Sequence, residues 1–317
     1  MKKNSSISLF MSIMVLGTIL TISSNNWLLL WVGLEMNMMA FLPIISTLKD
    51  NSPEASMIYF IIQSMGSMIL LFSIMLPWKI DLMTTMAILI KMGAAPFHFW
   101  MIMIMDKMNW ISCLILTTWQ KIAPMFMISN MKMMMLLAMM SILVGAVGGL
   151  NQTSVRKMIA FSSVNHLGWM LSISETKNFL FMKYLMIYSI IMIFMITLLN
   201  NKNIMMLNQA NMKMTKMEKF NFTIMMMSLG GLPPFTGFIL KWMVIQEMIN
   251  NNLMFLVTIM IMTSMITLFF YLRLTSTMMM VDSLTLKYSS INKSNKNQII
   301  MIMTNSFMLP IMCLIII

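Results

Sequence analysis

Charge is scarce in this sequence. Of 317 residues, 9% are Asp, Glu, Lys or Arg, against about 25% in ordinary soluble domains. Polar stretches long enough to build a soluble domain are missing, because apolar runs of about 17–25 residues recur from end to end. The chain is therefore expected to form one integral-membrane domain over residues 1–317. Cysteine is nearly absent: Cys113 and Cys313 stand far apart inside apolar runs, too few and too dispersed for a disulfide framework, a zinc site or an iron–sulfur cluster. There is no basic stripe interleaved with aromatics, so the net charge of +12 is not read as nucleic-acid binding. The basic residues sit in short connections, where anionic phospholipid headgroups and topology account for them.

A cleavable leader is not expected either. Lys2 and Lys3 precede an apolar stretch of spanning length, read as a first helix, and no Arg-rich transit peptide is seen. What is abundant is methionine, with 52 residues. They are spread throughout rather than clustered with His or Cys, so they read as adaptable packing, as in MMMLLAMM at 133–140, and not as a copper site.

Apolar runs between polar breaks give eleven candidate spans: 5–22, 27–46, 57–76, 82–105, 110–129, 131–150, 154–173, 180–199, 221–248, 253–272 and 299–317. The charges supply an independent test. Placing the N-terminus and every second connection on one side puts fourteen of the 21 Lys and Arg there, four on the other side, and three inside spans. Such asymmetry fits eleven helices with the N-terminus on the positive side and the C-terminus opposite.

The three lysines inside spans are Lys91, Lys121 and Lys241, and a carboxylate, Glu35, joins them in WLLLWVGLEMNMMAF. At about 2.5–3.5 kcal/mol each, these four groups cost on the order of 10–14 kcal/mol to insert. Lys91 and Lys121 lie roughly 13–16 Å deep by residue count, about twice the reach of a lysine side chain. Snorkelling to an interface is thus an alternative chiefly for Lys241, and a structural ion pair is a second one. Burial penalises a charged ammonium, so an amine held in such a place can accept and release a proton near neutral pH. Several ionisable groups at one depth form a relay if polar side chains and water bridge them. His98, beside Pro96, and Ser162, Ser163, Asn165 and His166 are candidates for bridging, although a lone intramembrane His is more often a hydrogen-bonded packing residue.

Two spans are interrupted by Gly and Pro: KMGAAPFHFW at 91–100 and SLGGLPPFTGFILKW at 228–242. In lipid, irregular backbone survives only where protein or a wet cavity surrounds it. By span number these two cross in opposite directions, and each carries a lysine near the break. This is the pattern of an inverted-repeat transporter with its site at mid-depth. The fold expected is an all-α polytopic bundle of about eleven transmembrane helices, two of them interrupted.

Together with TTWQKIAPM at 117–125 and RKMIAFSSVNHLGW at 156–169, these motifs resemble the subunit 2 family of mitochondrial NADH:ubiquinone oxidoreductase, respiratory complex I, an antiporter-like family. The resemblance is ordered along the whole chain. Eleven helices match the animal form, which lacks three N-terminal helices of its bacterial relative, and the methionine content fits a product of an animal mitochondrial genome.

The resemblance implies a proton-translocating subunit of the inner mitochondrial membrane, N-terminus in the matrix and C-terminus in the intermembrane space. It would have no redox cofactor of its own; NADH, FMN, iron–sulfur clusters and ubiquinone would belong to other subunits. Its partners would be other membrane subunits, including neighbouring antiporter-like ones, and phospholipids. It further implies that Glu35 pairs with Lys91 and that Lys121 and Lys241 continue a hydrated axis. Ile102, Met103 and Leu240 depart from the family pattern, which commonly has a proline and an acid at the first two positions and a proline at the third. Three other readings stay open: a self-sufficient cation/proton antiporter, a haem-bearing electron carrier using His98 and His166, and a scaffold.

Overall fold

The computed structural model describes residues 2–47, 52–76, 81–129, 134–174, 180–206, 209 and 213–284, and all of its regular elements are helical. Three unbroken helices open the chain: α1 (Lys2–Ser23), α2 (Trp27–Thr47) and α3 (Ser52–Met75). The fourth expected span is split into α4 (Asp81–Met92) and α5 (Phe99–Lys107). Next come α6 (Trp110–Thr117) and α7 (Ile122–Ile128), separated by a 3₁₀ turn over Trp119–Lys121. The chain continues through α8 (Met134–Gly149), α9 (Val155–Ser174) and α10 (Leu180–Lys202). The second Gly/Pro interruption divides α11 (Lys216–Gly230) from α12 (Thr236–Asn250), and α13 (Met254–Leu284) follows. Six of the described segments are long and apolar enough to cross a membrane on their own: Ser6–Ser23, Trp27–Ser46, Pro53–Met75, Trp110–Ile128, Leu180–Lys202 and Met254–Thr277.

Several expectations need correction. Span 110–129 is interrupted too, making three broken spans among the described residues instead of two. The Thr118 hydroxyl donates to Leu114 O at 2.7 Å, and Pro124, lacking an N–H, can stand only in the first turn of a restarted helix. Helix α11 begins at Lys216, earlier than residue 221, because Thr215 and Glu218 form a capping box, with Thr215 N donating to Glu218 Oε2 at 2.8 Å. Helix α13 runs on to Leu284, past the expected end at 272, since no Gly or Pro interrupts 273–284. The expected span 299–317 lies outside the described residues.

The bundle is organised around α9. All of its residues except Lys157 are buried, and α5, α7, α8, α10 and α12 pack against it. Its sequence is rich in small and polar residues, which would be a poor choice facing lipid but allows backbones to approach closely. The outer helices carry the opposite pattern, with Met68 on α3, Leu136 on α8 and Met262 on α13 turned outward.

Connections expected to share the positive side are joined there. Lys107 pairs with Glu54, Lys157 with Asp106 at 3.2 Å, and Lys202 with Glu218 at 3.0 Å. Arg156 Nη1 donates to Asp106 O at 2.9 Å. One end of the bundle therefore collects the ends of α5 and α10 and the starts of α3, α9 and α11.

Contact between α8 and α9 depends on glycine. A Cβ at Gly145 would lie 2.5 Å from the backbone nitrogen of Asn165, an atom that cannot move aside by changing rotamer. Gly145→Ala is expected to destabilise the chain by about 1–3 kcal/mol through overpacking. Leu136→Ala, on the outer face of the same helix, should have a much smaller effect; thermal unfolding of the two variants in the assembled state tests this.

Candidate functional site

Each of the three helix interruptions stands beside one of the buried lysines. Lys91 occupies the last turn of α4, just before Gly93 takes a left-handed conformation. Its Nζ lies 3.3 Å from Glu35 Oε1 on α2, with the lysine side chain 3% and the carboxylate 19% exposed. The surrounding backbone is tied down from two directions: Gln63 Nε2 donates to Lys91 O at 3.1 Å, and Trp100 Nε1 to Ile90 O at 3.1 Å. Carbonyls at the end of a broken helix lack intrahelical partners, and these two donors satisfy them.

Lys121 closes the 3₁₀ turn between α6 and α7. Its Nζ donates to Ser163 O on α9 at 3.1 Å and stands 5.7 Å from the centre of the Tyr188 ring. Lys91 and Lys121 line one cavity of about 10 Å³ together with Tyr59, Gln63, Trp100 and Gln120, which is room for about one water molecule. Gln120 is held by Asn37, two residues from Glu35, through a 3.1 Å hydrogen bond from its Nε2.

Lys241 sits in α12 and reaches back across the third break, where its Nζ donates to Gly230 O at 2.6 Å and faces the Trp169 ring at 5.6 Å. Gly230 is the last residue of α11, so the ammonium caps the negative end of that helix. Gly231, at φ +80°, lets the chain turn there. Lys241 also lines a largely apolar cavity of about 630 Å³ with Trp169, Leu232, Trp242 and Ile261. None of the three amines snorkels: Lys91, Lys121 and Lys241 are all buried.

The two histidines part company. His166 Nδ1 lies 2.7 Å from Tyr184 Oη, its ring packs at a tilt against Tyr188 at 4.8 Å, and both Lys121 and Lys241 are near enough for their charges to act on it. His98 Nδ1 instead meets Pro96 O at 3.2 Å, and its ring packs on Phe99 and Phe161. The hydroxyls of Ser162 and Ser163 return to carbonyls of their own helix, so what Ser163 offers Lys121 is its backbone oxygen. Ile102 and Met103 lie within regular α5, and Leu240 within α12. Sequence reasoning passed over Tyr59, Gln63, Gln120, Tyr184 and Tyr188. Gln120 adjoins Lys121 in the sequence, and that adjacency was the available signal.

Over its full length the chain is 40% identical to NADH-ubiquinone oxidoreductase chain 2 of Aedes aegypti, aligned over 98% of that protein. It belongs to the NADH-ubiquinone oxidoreductase chain 2 family. A second relative of the same name, from Anopheles gambiae, is 40% identical over 89% of this chain and 88% of its own length. The one from Locusta migratoria is 42% identical over 86% and 85%. Residues 24–84 and 78–267 of this chain 2 family member also match the family described as NADH:quinone oxidoreductase/Mrp antiporter, TM. Its fold is similar to a chain of respiratory complex I from Thermus thermophilus, with TM-score 0.76 and 22% identity over 86% of this chain and 70% of that one. A chain of the Mrp complex from Dietzia gives 0.73 and 17% identity over 83% and 58%. The antiporter-like membrane fold is thus shared well beyond the chain 2 family.

The third break makes a local test. A Cβ on Gly231 would lie 2.7 Å from Lys241 Cδ in a conformation that costs an L-residue about 1–2 kcal/mol. Gly231→Ala is expected to push the Lys241 ammonium off Gly230 O, visible in a high-resolution map of the variant. An unmoved ammonium would contradict this reading of the break.

Proposed function

We propose that this chain translocates protons as a membrane subunit of NADH-ubiquinone oxidoreductase, through a relay of Glu35, Lys91, Lys121 and Lys241. In this reading residues 1–317 act as one integral-membrane domain of eleven spanning helices built on an inverted repeat. It lies in the mitochondrial inner membrane with its N-terminus in the matrix and its C-terminus in the intermembrane space. The chain holds no redox centre. NADH, FMN, iron–sulfur clusters and ubiquinone engage other subunits, and this one works beside neighbouring antiporter-like subunits and phospholipid.

The observation that carries the reading is the placement of three ammonium groups shut away from both surfaces, each at a helix break and two of them against α9. Methionine at these positions would insert far more cheaply, so their retention calls for a role that an apolar residue cannot fill. At 3.3 Å and an effective dielectric of 20, the gross attraction between Glu35 and Lys91 is about 5 kcal/mol. Neutralising or withdrawing Glu35 removes that hold on the Lys91 proton. The small cavity shared with Lys121 gives the proton somewhere to go. Lys241 passes it on toward an exit or a neighbouring subunit, and His166 is a candidate bridge between the last two amines.

Lys121 offers the cleanest test, because no carboxylate is stranded when it is replaced. Lys121→Met should leave the complex as stable as before or more so, by up to about 3 kcal/mol. Proton yield per NADH in proteoliposomes should nevertheless fall by this subunit's share. Full yield would refute the relay. Cation-coupled proton flux by the isolated chain, with no NADH or quinone, would favour a self-sufficient antiporter instead.

A further inference from the structure

Between Lys121 and Lys241 the polar contact made by His166 is with a residue that the relay leaves unused. We propose that Tyr184 is the positioning residue of His166: its phenol fixes which imidazole nitrogen carries the hydrogen and keeps the ring from taking up a second proton until that phenol turns aside. The inference rests on the relay reading above and assigns a gate within it.

A phenol has one O–H, and a neutral imidazole has one N–H and one basic lone pair. Tyr184 Oη and His166 Nδ1 are 2.7 Å apart, and both residues are buried, at 0% and 3% exposure. Among the described residues, Nδ1 is the acceptor that the phenol meets. Either arrangement leaves one hydrogen of the pair to be met elsewhere, but the phenol is the more acidic donor and the imidazole lone pair the more basic acceptor. The stronger bond therefore has Tyr184 donating and Nδ1 accepting, with the imidazole hydrogen on Nε2.

A histidine in that state has its basic lone pair engaged. A proton arriving from either lysine finds no open site until the Tyr184 bond breaks. Turning the imidazole over is no easy escape, because the Tyr188 ring packs against it, tilted, at 4.8 Å. Tyr188 also faces Lys121 at 5.7 Å, so the two tyrosines of α10 hold the histidine from two directions.

The groups facing this site are known element by element. Lys121 from the 3₁₀ turn and Lys241 from α12 act on His166; the carboxylate of α12, Glu247, lies six residues beyond Lys241 and is half-buried. Tyr271 from α13 acts on both Tyr184 and Tyr188. Helices α7 and α8 carry no titratable side chain. The charges of α5, Asp106 and Lys107, are paired with Lys157 and Glu54 at the starting end of α9. No carboxylate among these can take the place of the phenol.

The test uses the intact complex in proteoliposomes, with proton yield per NADH measured against pH and NADH oxidation followed in parallel. Removing the hydroxyl frees Nδ1, so Tyr184→Phe should move the midpoint of the yield profile to higher pH by about one unit, the equivalent of one hydrogen bond. Tyr184→Met, which also lacks the hydroxyl, should give the same displacement. In a His166→Gln background neither variant should shift the profile further, because a residue acting only through His166 has nothing left to act on. An unmoved profile, even with a lowered melting temperature, overturns the gate, as does an equal shift in the His166→Gln background. Lys121→Met separates the two claims. Full yield in that variant defeats the relay itself, whereas lost yield there with an unmoved Tyr184→Phe profile defeats only the gate.

Discussion

An ammonium group cut off from both water and lipid has to be met by acceptors inside the protein, and most of this architecture follows from meeting that demand three times. A regular helix has few acceptors to give, because its interior carbonyls are already bonded. Ending a helix releases them. Gly230 is the last residue of α11, and its carbonyl receives Lys241 at 2.6 Å. Lys91 lies in the last turn of α4, where the negative end of the helix dipole favours a cation. At Lys241 the interruption is therefore the means by which charge is held at depth, whereas Lys91 also has the Glu35 carboxylate and Lys121 donates to Ser163 O within unbroken α9.

The three amines are held differently, and the differences give the proposed relay its direction of control. Among the described residues, Lys91 is the one of the three paired with a carboxylate, and that carboxylate is also the most exposed member of the set, at 19%. A change outside the bundle can reach Glu35 more readily than anything else in the row. Lys121 and Lys241 rely on backbone carbonyls and on the faces of Tyr188 and Trp169, partners that do not change charge. In the proposed relay an electrostatic event at Glu35 would be felt first by Lys91, and the other two would respond to the proton rather than to the trigger.

Much of this was legible in the sequence for one reason: charge in hydrocarbon is costly enough that its presence is a signal in itself. Glu35, Lys91, Lys121 and Lys241 stood out against their apolar neighbours, and the breaks at Gly93 and Gly231 were marked by clustered Gly and Pro. The break before Lys121 carries no glycine. Its cause is local hydroxyl bonding by Thr118 and a proline placed three residues beyond the lysine, which reads equally well as a continuous helix. The start of α11 was missed because the Thr215–Glu218 box sits in a stretch whose polarity resembles a loop. Partners such as Gln120 with Asn37, or Tyr184 with His166, are 83 and 18 residues apart. No local pattern encodes which of many buried amides and phenols will meet.

The choice of α9 as the central helix joins the fold to the chemistry. Its serines are self-sufficient: Ser162, Ser163, Ser172 and Ser174 each donate to a carbonyl three residues back, so they are buried cheaply and serve close packing. Asn165 Oδ1 and Trp169 Nε1 on the same helix, and Tyr188 Oη facing it, have no protein partner among the described residues. Each such atom would cost about 1–3 kcal/mol if left dry, and apolar residues at these positions would remove that cost outright. They are grouped along α9, which meets Lys121 through Ser163 O and Lys241 through the Trp169 ring; the proposed relay needs bound water there, and a water stays in a protein interior only where several polar atoms converge on it. Small residues thus bring the helices together around α9, and its unsatisfied atoms keep the junction between the last two amines polar.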